Sequence, residues 1–157
     1  MGEKSLFERL GGRITLDKVH KDFYDYLYED PVLSFYFKHV EQDFIEKTQS
    51  DFMGVRFGGP PEYRGLGVKD AHSYMFIKPE HLELRQVFLK KALVKNGVAE
   101  DLMEEWLKID HAFWQQIEKK DLSDCKKRYT TQEFLIPPSL ARGAEAMKLP
   151  TVKTSFV

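Results

Sequence analysis

Apolar positions recur along this chain at spacings of three and four, and glycine and proline gather between those runs. Leu16, Val19, Phe23 and Leu27 form one such stripe, with His20 and Tyr24 along an adjacent edge. The stripe predicts a helix from Thr15, as N-cap, to about Tyr28. A shorter helix from Ser5 to Leu10 precedes it and stops at Gly11-Gly12, because glycine tolerates the left-handed conformation that ends a helix. Asp30-Pro31 marks a stop and a restart, with Asp30 as cap and Pro31 in the first turn of a stub reaching Phe37. From about Glu41 to Phe57 the residues Phe44, Ile45, Thr48, Gln49, Phe52, Met53 and Arg56 again keep helical spacing. Gly58-Gly59-Pro60-Pro61 ends that run abruptly.

Glu62 to Gly67 reads as a loop, and Val68 to Phe76 as a short helical island. Pro79 and Glu80 open a long helix reaching Lys95, which Asn96-Gly97 closes. Glu100 and Asp101 suit the positive end of a last long helix, and Leu102, Trp106, Ile109, Phe113 and Ile117 carry it to about Lys120. With no competing strand pattern, the fold class is all-α: one domain over residues 1–120 and a C-terminal extension over 121–157. The extension holds Pro137-Pro138 and Pro150 and keeps no sustained period. Phe134-Leu135-Ile136 is expected to dock on the helical body, and the last dozen residues to be poorly ordered.

A length of 157 residues suffices for one domain with its own core, without disulfides or a structural metal. A formal charge of -1 supplies no field to attract nucleic acid or an anionic membrane, so neither is an expected partner. Cys125 is alone and forms neither an internal disulfide nor a thiolate zinc site. The chain has no apolar run of membrane-spanning length, and Met1-Gly2-Glu3-Lys4 lacks a signal-peptide pattern, which reads as a cytoplasmic protein. Twelve Phe and seven Tyr are many for a helical chain this short, and such side chains either fill a core or line a flat cofactor.

Among the five histidines His72 is the candidate metal ligand. Val68, Met75 and Phe76 stand four, three and four residues from it, on one helical face, so its neutral Nε2 is available to an iron. His20 and His39 have polar or charged neighbours, His81 falls in a first helical turn, and His111 lies within the last helix. An ordinary core or polar role is the competing reading for any single histidine. Tyr24 and Gln49 interrupt apolar stripes with hydrogen-bond donors. Their plainer alternatives are a core phenol and a solvent-facing amide.

Leu6-Phe7-Glu8-Arg9-Leu10-Gly11-Gly12, Asp22-Phe23-Tyr24, Phe35-Tyr36-Phe37, Phe57-Gly58-Gly59-Pro60-Pro61-Glu62-Tyr63 and Ala71-His72 together closely resemble the truncated haemoglobins, over roughly residues 5 to 120. The resemblance implies a two-over-two helical sandwich around haem b (iron protoporphyrin IX), with His72 as the iron's protein ligand. It implies ligand contacts from Tyr24 and Gln49 and a Phe37 packed on the haem edge, with Phe23, Ile45, Phe52 and Met53 excluding water. Ile45 takes the place where full-length globins carry a distal histidine. The absence of tryptophan between His72 and Glu105 resembles the first of the family's three groups. Arg85 or Gln86 then occupies a position usually apolar there, where an arginine meets a haem propionate or makes the ligand side more polar. Met53 follows Phe52 where the family often has a tunnel-gating phenylalanine.

The implied function is reversible binding of dioxygen, nitric oxide and carbon monoxide. Its enzymatic version is oxidation of nitric oxide to nitrate, which leaves iron to be re-reduced by an external reductase. A haem-free helical interaction module is the reading from another class, distinguished by the lack of a Soret band.

Overall fold

The computed structural model describes residues 2–137. The predicted terminal disorder therefore lies outside the described residues. In chain order the helices are α1 (Leu6–Leu10), α2 (Arg13–Glu29), α3 (Gln42–Arg56), α4 (Val68–Ala71), α5 (Pro79–Lys95), α6 (Glu100–His111) and α7 (Trp114–Ile117). Single 3-10 turns occupy Leu33–Phe37 and Leu122–Asp124. Among the described residues extended pairing is limited to a parallel bridge between Met75 and Leu135. The expected all-α class is the observed one.

α2 packs across both α3 and α5, and α5 packs on α6. The predicted stripe of α2 makes this possible, since Leu16, Val19, Phe23 and Leu27 are all buried against Leu89, Ala92 and Leu93 of α5 and Trp106 of α6 in one core cluster. Each such side chain contributes roughly 1.5–3 kcal/mol of transfer free energy.

The helix ends follow local chemistry. Ser5 Oγ accepts the Glu8 N–H at 3.1 Å and caps α1. α2 begins at Arg13, two residues before the expected start, and Thr15 is not its cap. The reason is backbone: Gly11 and Gly12 have φ of 105° and 76°, which reverses the chain tightly enough for α2 to start at once. Asp30 does cap the following turn, its Oδ2 accepting Val32 and Leu33 N–H groups at 3.0 and 2.8 Å. At the end of α3, Gly59 donates to the Gly54 carbonyl at 2.7 Å while the Phe57 carbonyl accepts the Phe7 N–H at 2.9 Å. This closure ties α3 to α1, and a Cβ on Gly59 would meet the Phe7 ring at 2.7 Å.

Two expected helices are shorter than their patterns. The island around His72 is helical only over Val68–Ala71, with His72 as its C-cap. Residues 72–77 leave the helix, keeping among themselves only the local bonds Met75 N–H to His72 (3.1 Å) and Ile77 N–H to Met75 (3.0 Å), because others of their backbone groups bond to the segment after α7. Lys119 N–H donates to the Ile77 carbonyl (2.8 Å), Lys126 N–H to Ser73 (2.8 Å) and Leu135 N–H to Tyr74 (3.0 Å), and Phe76 N–H donates to Leu135 (2.9 Å). The docking expected of Phe134-Leu135-Ile136 is thus present, centred on Leu135. The last helix, expected to run to Lys120, breaks at Ala112–Phe113 into α6 and α7. No glycine or proline causes the break. The backbone tightens there, with Phe113 N–H donating to the Asp110 carbonyl at 3.1 Å, and both Asp110 and Phe113 come to face the interior cavity.

Candidate functional site

α2, α3, the Leu33–Phe37 turn, the α4–α5 region and the α6–α7 break enclose one large, mostly apolar cavity. It holds about 1330 Å³ of atom-free space, counting its open mouth. Two of its apolar lining residues, Phe44 and Leu66, are 64% and 43% exposed. Seven of the eight residues singled out from sequence line this cavity: Tyr24, Phe37, Ile45, Gln49, Phe52, Met53 and His72. Phe23 does not. It is fully buried behind Tyr24, ring centroids 5.0 Å apart, and helps position that residue from the core.

The His72 imidazole is oriented by its own helical turn. Nδ1 lies 2.8 Å from the Val68 carbonyl, four residues back. A ring nitrogen facing a carbonyl is the protonated one, so Nε2 carries the free lone pair. Burial pushes the His72 pKa down to about 4, the Val68 hydrogen bond opposing and the Arg85 and Lys119 charges assisting. The ring is therefore neutral at physiological pH, as a metal ligand has to be. The His72 carbonyl is held as well, accepting the Lys119 ammonium at 2.9 Å.

Tyr24 stands on α2, its ring edge-on to Phe37 at 5.6 Å. Its hydroxyl makes no hydrogen bond among the described residues, and burial raises its pKa above the usual phenol range. It remains a protonated donor. The Gln49 amide on α3 likewise has no hydrogen-bonded partner among the described residues and lines the same cavity. Phe52 packs edge-on against Tyr63 and tilted against Phe113, closing the wall around Met53.

Of Arg85 and Gln86, Arg85 is the one that lines the cavity, one helical turn beyond His81 and Leu82 of α5. Its Nη1 donates to Asp110 Oδ2 at 2.7 Å, and the guanidinium stands 5.0 Å over the Phe23 ring. The same carboxylate oxygen accepts Trp114 Nε1–H at 3.3 Å. Sequence reading passed over Asp110, although a carboxylate four residues after Trp106, on the buried stripe of α6, was a visible anomaly. Tyr36, whose hydroxyl donates to the Phe76 carbonyl, was also missed as a wall residue.

Among the described residues no group of three or more His, Cys, Asp or Glu side chains is placed to hold a metal. One oriented imidazole, two donors without partners among the described residues and an apolar slot instead fit a flat metal-bearing group that brings most of its own ligands. The family model of the bacterial-like globins matches residues 5–119. The chain belongs to the truncated haemoglobin family. It is 28% identical to a Group 1 truncated hemoglobin of Tetrahymena thermophila over 107 residues, covering 68% of this chain and 88% of the relative. It is 30% identical over 103 residues to the Group 1 truncated hemoglobin GlbN of Mycolicibacterium paratuberculosis, covering 66% and 76%. Its structure is similar to that of the Fe(III) truncated hemoglobin of Tetrahymena pyriformis, with TM-score 0.70, 26% identity and coverage of 74% of this chain and all of that one. As a truncated haemoglobin it is a haem-binding globin, and the segment that buttresses His72 from residue 120 onward lies beyond the family match.

Proposed function

We propose that this truncated haemoglobin reversibly binds dioxygen, nitric oxide and carbon monoxide at the iron of haem b, with His72 as the protein ligand. The observation that carries this reading is a neutral imidazole with its Nδ1 fixed, in one apolar cavity with two donors that have no partner among the described residues. When bound, the haem supplies a redox-active iron with one coordination position open to a diatomic gas.

The chain's residues do the rest. Val68 sets the His72 ring so that Nε2 meets the metal. Tyr24, buried and protonated, donates toward a ligand on which negative charge collects, and Gln49 offers a second donor. A hydrogen bond to a charged acceptor is worth about 1.5–3 kcal/mol, so a ligand that collects negative charge and accepts from Tyr24 gains on that scale without reorganising the cavity. Ile45, Phe52 and Met53 keep water from competing. Phe37 holds the Tyr24 ring edge and thereby the direction of its hydroxyl.

Nitric oxide detoxification is the enzymatic form of the same reading. With haem bound, its iron would supply the one electron needed to turn nitric oxide and dioxygen into nitrate, and an external reductase would return it. Rapid mixing of the haem-loaded protein with each gas tests the binding claim, with saturable, reversible spectral changes expected. Repeated nitrate production per haem only when a reductase is present supports the enzymatic form. A protein whose spectrum does not respond to any of the three gases contradicts the whole reading.

A further inference from the structure

Arg85 introduces a permanent positive charge into a cavity that a diatomic-gas site does not require. The guanidinium has five N–H donors in a rigid fork. One hydrogen bond to Asp110 is formed, at 2.7 Å, and the other N–H groups have no acceptor among the described residues. The pairing is single-pronged, whereas an arginine kept only to neutralise a carboxylate gains most from a two-pronged fork. Asp110 is further shared with Trp114 Nε1, which turns its Oδ2 away from exclusive service to Arg85.

Position decides what the spare donors face. Arg85 stands over Phe23 beside Tyr24, and its partner Asp110 is 5% exposed. Arg85 lines the cavity together with Tyr24, Gln49 and His72, and its side chain keeps 20% exposure, so the spare donors border the space those residues share.

We propose that Arg85, held by Asp110, is the residue of this cavity that sets the preference for small monoanionic ligands over neutral ones. The proposal rests on the haem reading above. In a low-dielectric cavity a fixed guanidinium acts on a charged ligand strongly and on an uncharged one weakly. Asp110 opposes the effect, because its carboxylate draws on the same cation. The two residues are therefore expected to act with opposite sign.

The test titrates the ferric, haem-loaded protein with fluoride and with azide, and the ferrous protein with carbon monoxide, following the visible spectrum. Arg85→Gln is expected to weaken both anions by roughly ten-fold, the scale of one charge-assisted hydrogen bond, and to leave carbon monoxide within about two-fold. Asp110→Asn is expected to strengthen both anions several-fold. Parallel shifts of anions and carbon monoxide, anion affinity unchanged in Arg85→Gln, or weakening of anions in Asp110→Asn would each overturn the proposal, the last showing a purely structural pair. Where Arg85→Gln does not retain haem, Asp110→Asn decides alone by the sign of its effect. A wild-type protein without a Soret band defeats the haem reading itself, which separates that failure from this one.

Discussion

Replacing Leu135 with alanine tests whether the segment after α7 acts as a buttress for the His72 turn. Leu135 is 4% exposed, its N–H donates to the Tyr74 carbonyl at 3.0 Å and its carbonyl accepts the Phe76 N–H at 2.9 Å. Tyr74 and Met75 line the cavity beside His72, so the bonded residues are the site's own wall. Trimming a buried leucine to alanine costs about 2–5 kcal/mol, and a site near the edge of the fold, free to relax, belongs at the lower end. A segment fastened mainly by the bonds to residues 73–77 opens locally, without unfolding α2 and α5. A loss of about 2 kcal/mol in that local equilibrium corresponds to roughly 30-fold less protection at 1.36 kcal/mol per decade. Hydrogen exchange of the haem-loaded protein measures this directly. The Phe76 amide is expected to exchange roughly 30-fold faster, with Val19 and Phe23 in α2 unchanged and haem transfer to an acceptor globin accelerated. An unaltered Phe76 amide, or equal acceleration throughout α2, would refute the reasoning.

Tyr24→Phe removes the buried donor and is expected to speed dioxygen dissociation by about ten-fold, read by stopped-flow displacement; an unchanged rate removes Tyr24 from its role. His20 is buried with Nδ1 2.7 Å from Ser50 Oγ, and burial holds its pKa down to about 3, assisted by the Arg85 and Arg13 charges. Because the folded pKa lies below the unfolded value of about 6.5, the unfolded chain binds the proton first. Stability is complete above that unfolded value and falls by about 1.4 kcal/mol per pH unit below it, until the folded pKa is reached. Denaturant titrations between pH 7 and pH 5 are expected to show a shallower dependence in His20→Leu, and identical slopes would contradict this. Gly59→Ala places a Cβ 2.7 Å from the Phe7 ring and 2.9 Å from the Gly54 carbonyl. A cost of about 1–3 kcal/mol is expected in thermal unfolding, whereas Gly67→Ala, with open space around its Cβ position, serves as the control.

Long periodic elements were legible in the sequence because period and punctuation agree. The α2 stripe, the Gly58-Gly59 stop and the Pro79 start each express a local rule, and each lands within a residue or two of its place. The cavity wall was legible for the same reason, since Tyr24, Ile45, Gln49, Phe52 and Met53 lie on helices whose faces the period fixes. Features that depend on distant partners were not. Residues 72–77 have helical composition, yet Ser73, Tyr74, Phe76 and Ile77 bond to Lys126, Leu135 and Lys119, more than forty residues away. The α6–α7 break has no local breaker and coincides with Asp110, whose partner Arg85 is on another helix. Phe23 shares its stripe with the core rather than the cavity, a distinction of one helical position that periodicity alone does not resolve.

The central claim is that His72 Nε2 ligates the iron of a haem held in this cavity. The visible absorption spectrum of the purified protein, expressed with ample haem supply, tests it most directly when wild type and His72→Ala are compared. A Soret band with histidine-ligated features is expected in the wild type, and its loss, or its return only on adding free imidazole, in the variant. A colourless wild type, or a His72→Ala protein with the same spectrum and haem content as wild type, would contradict it.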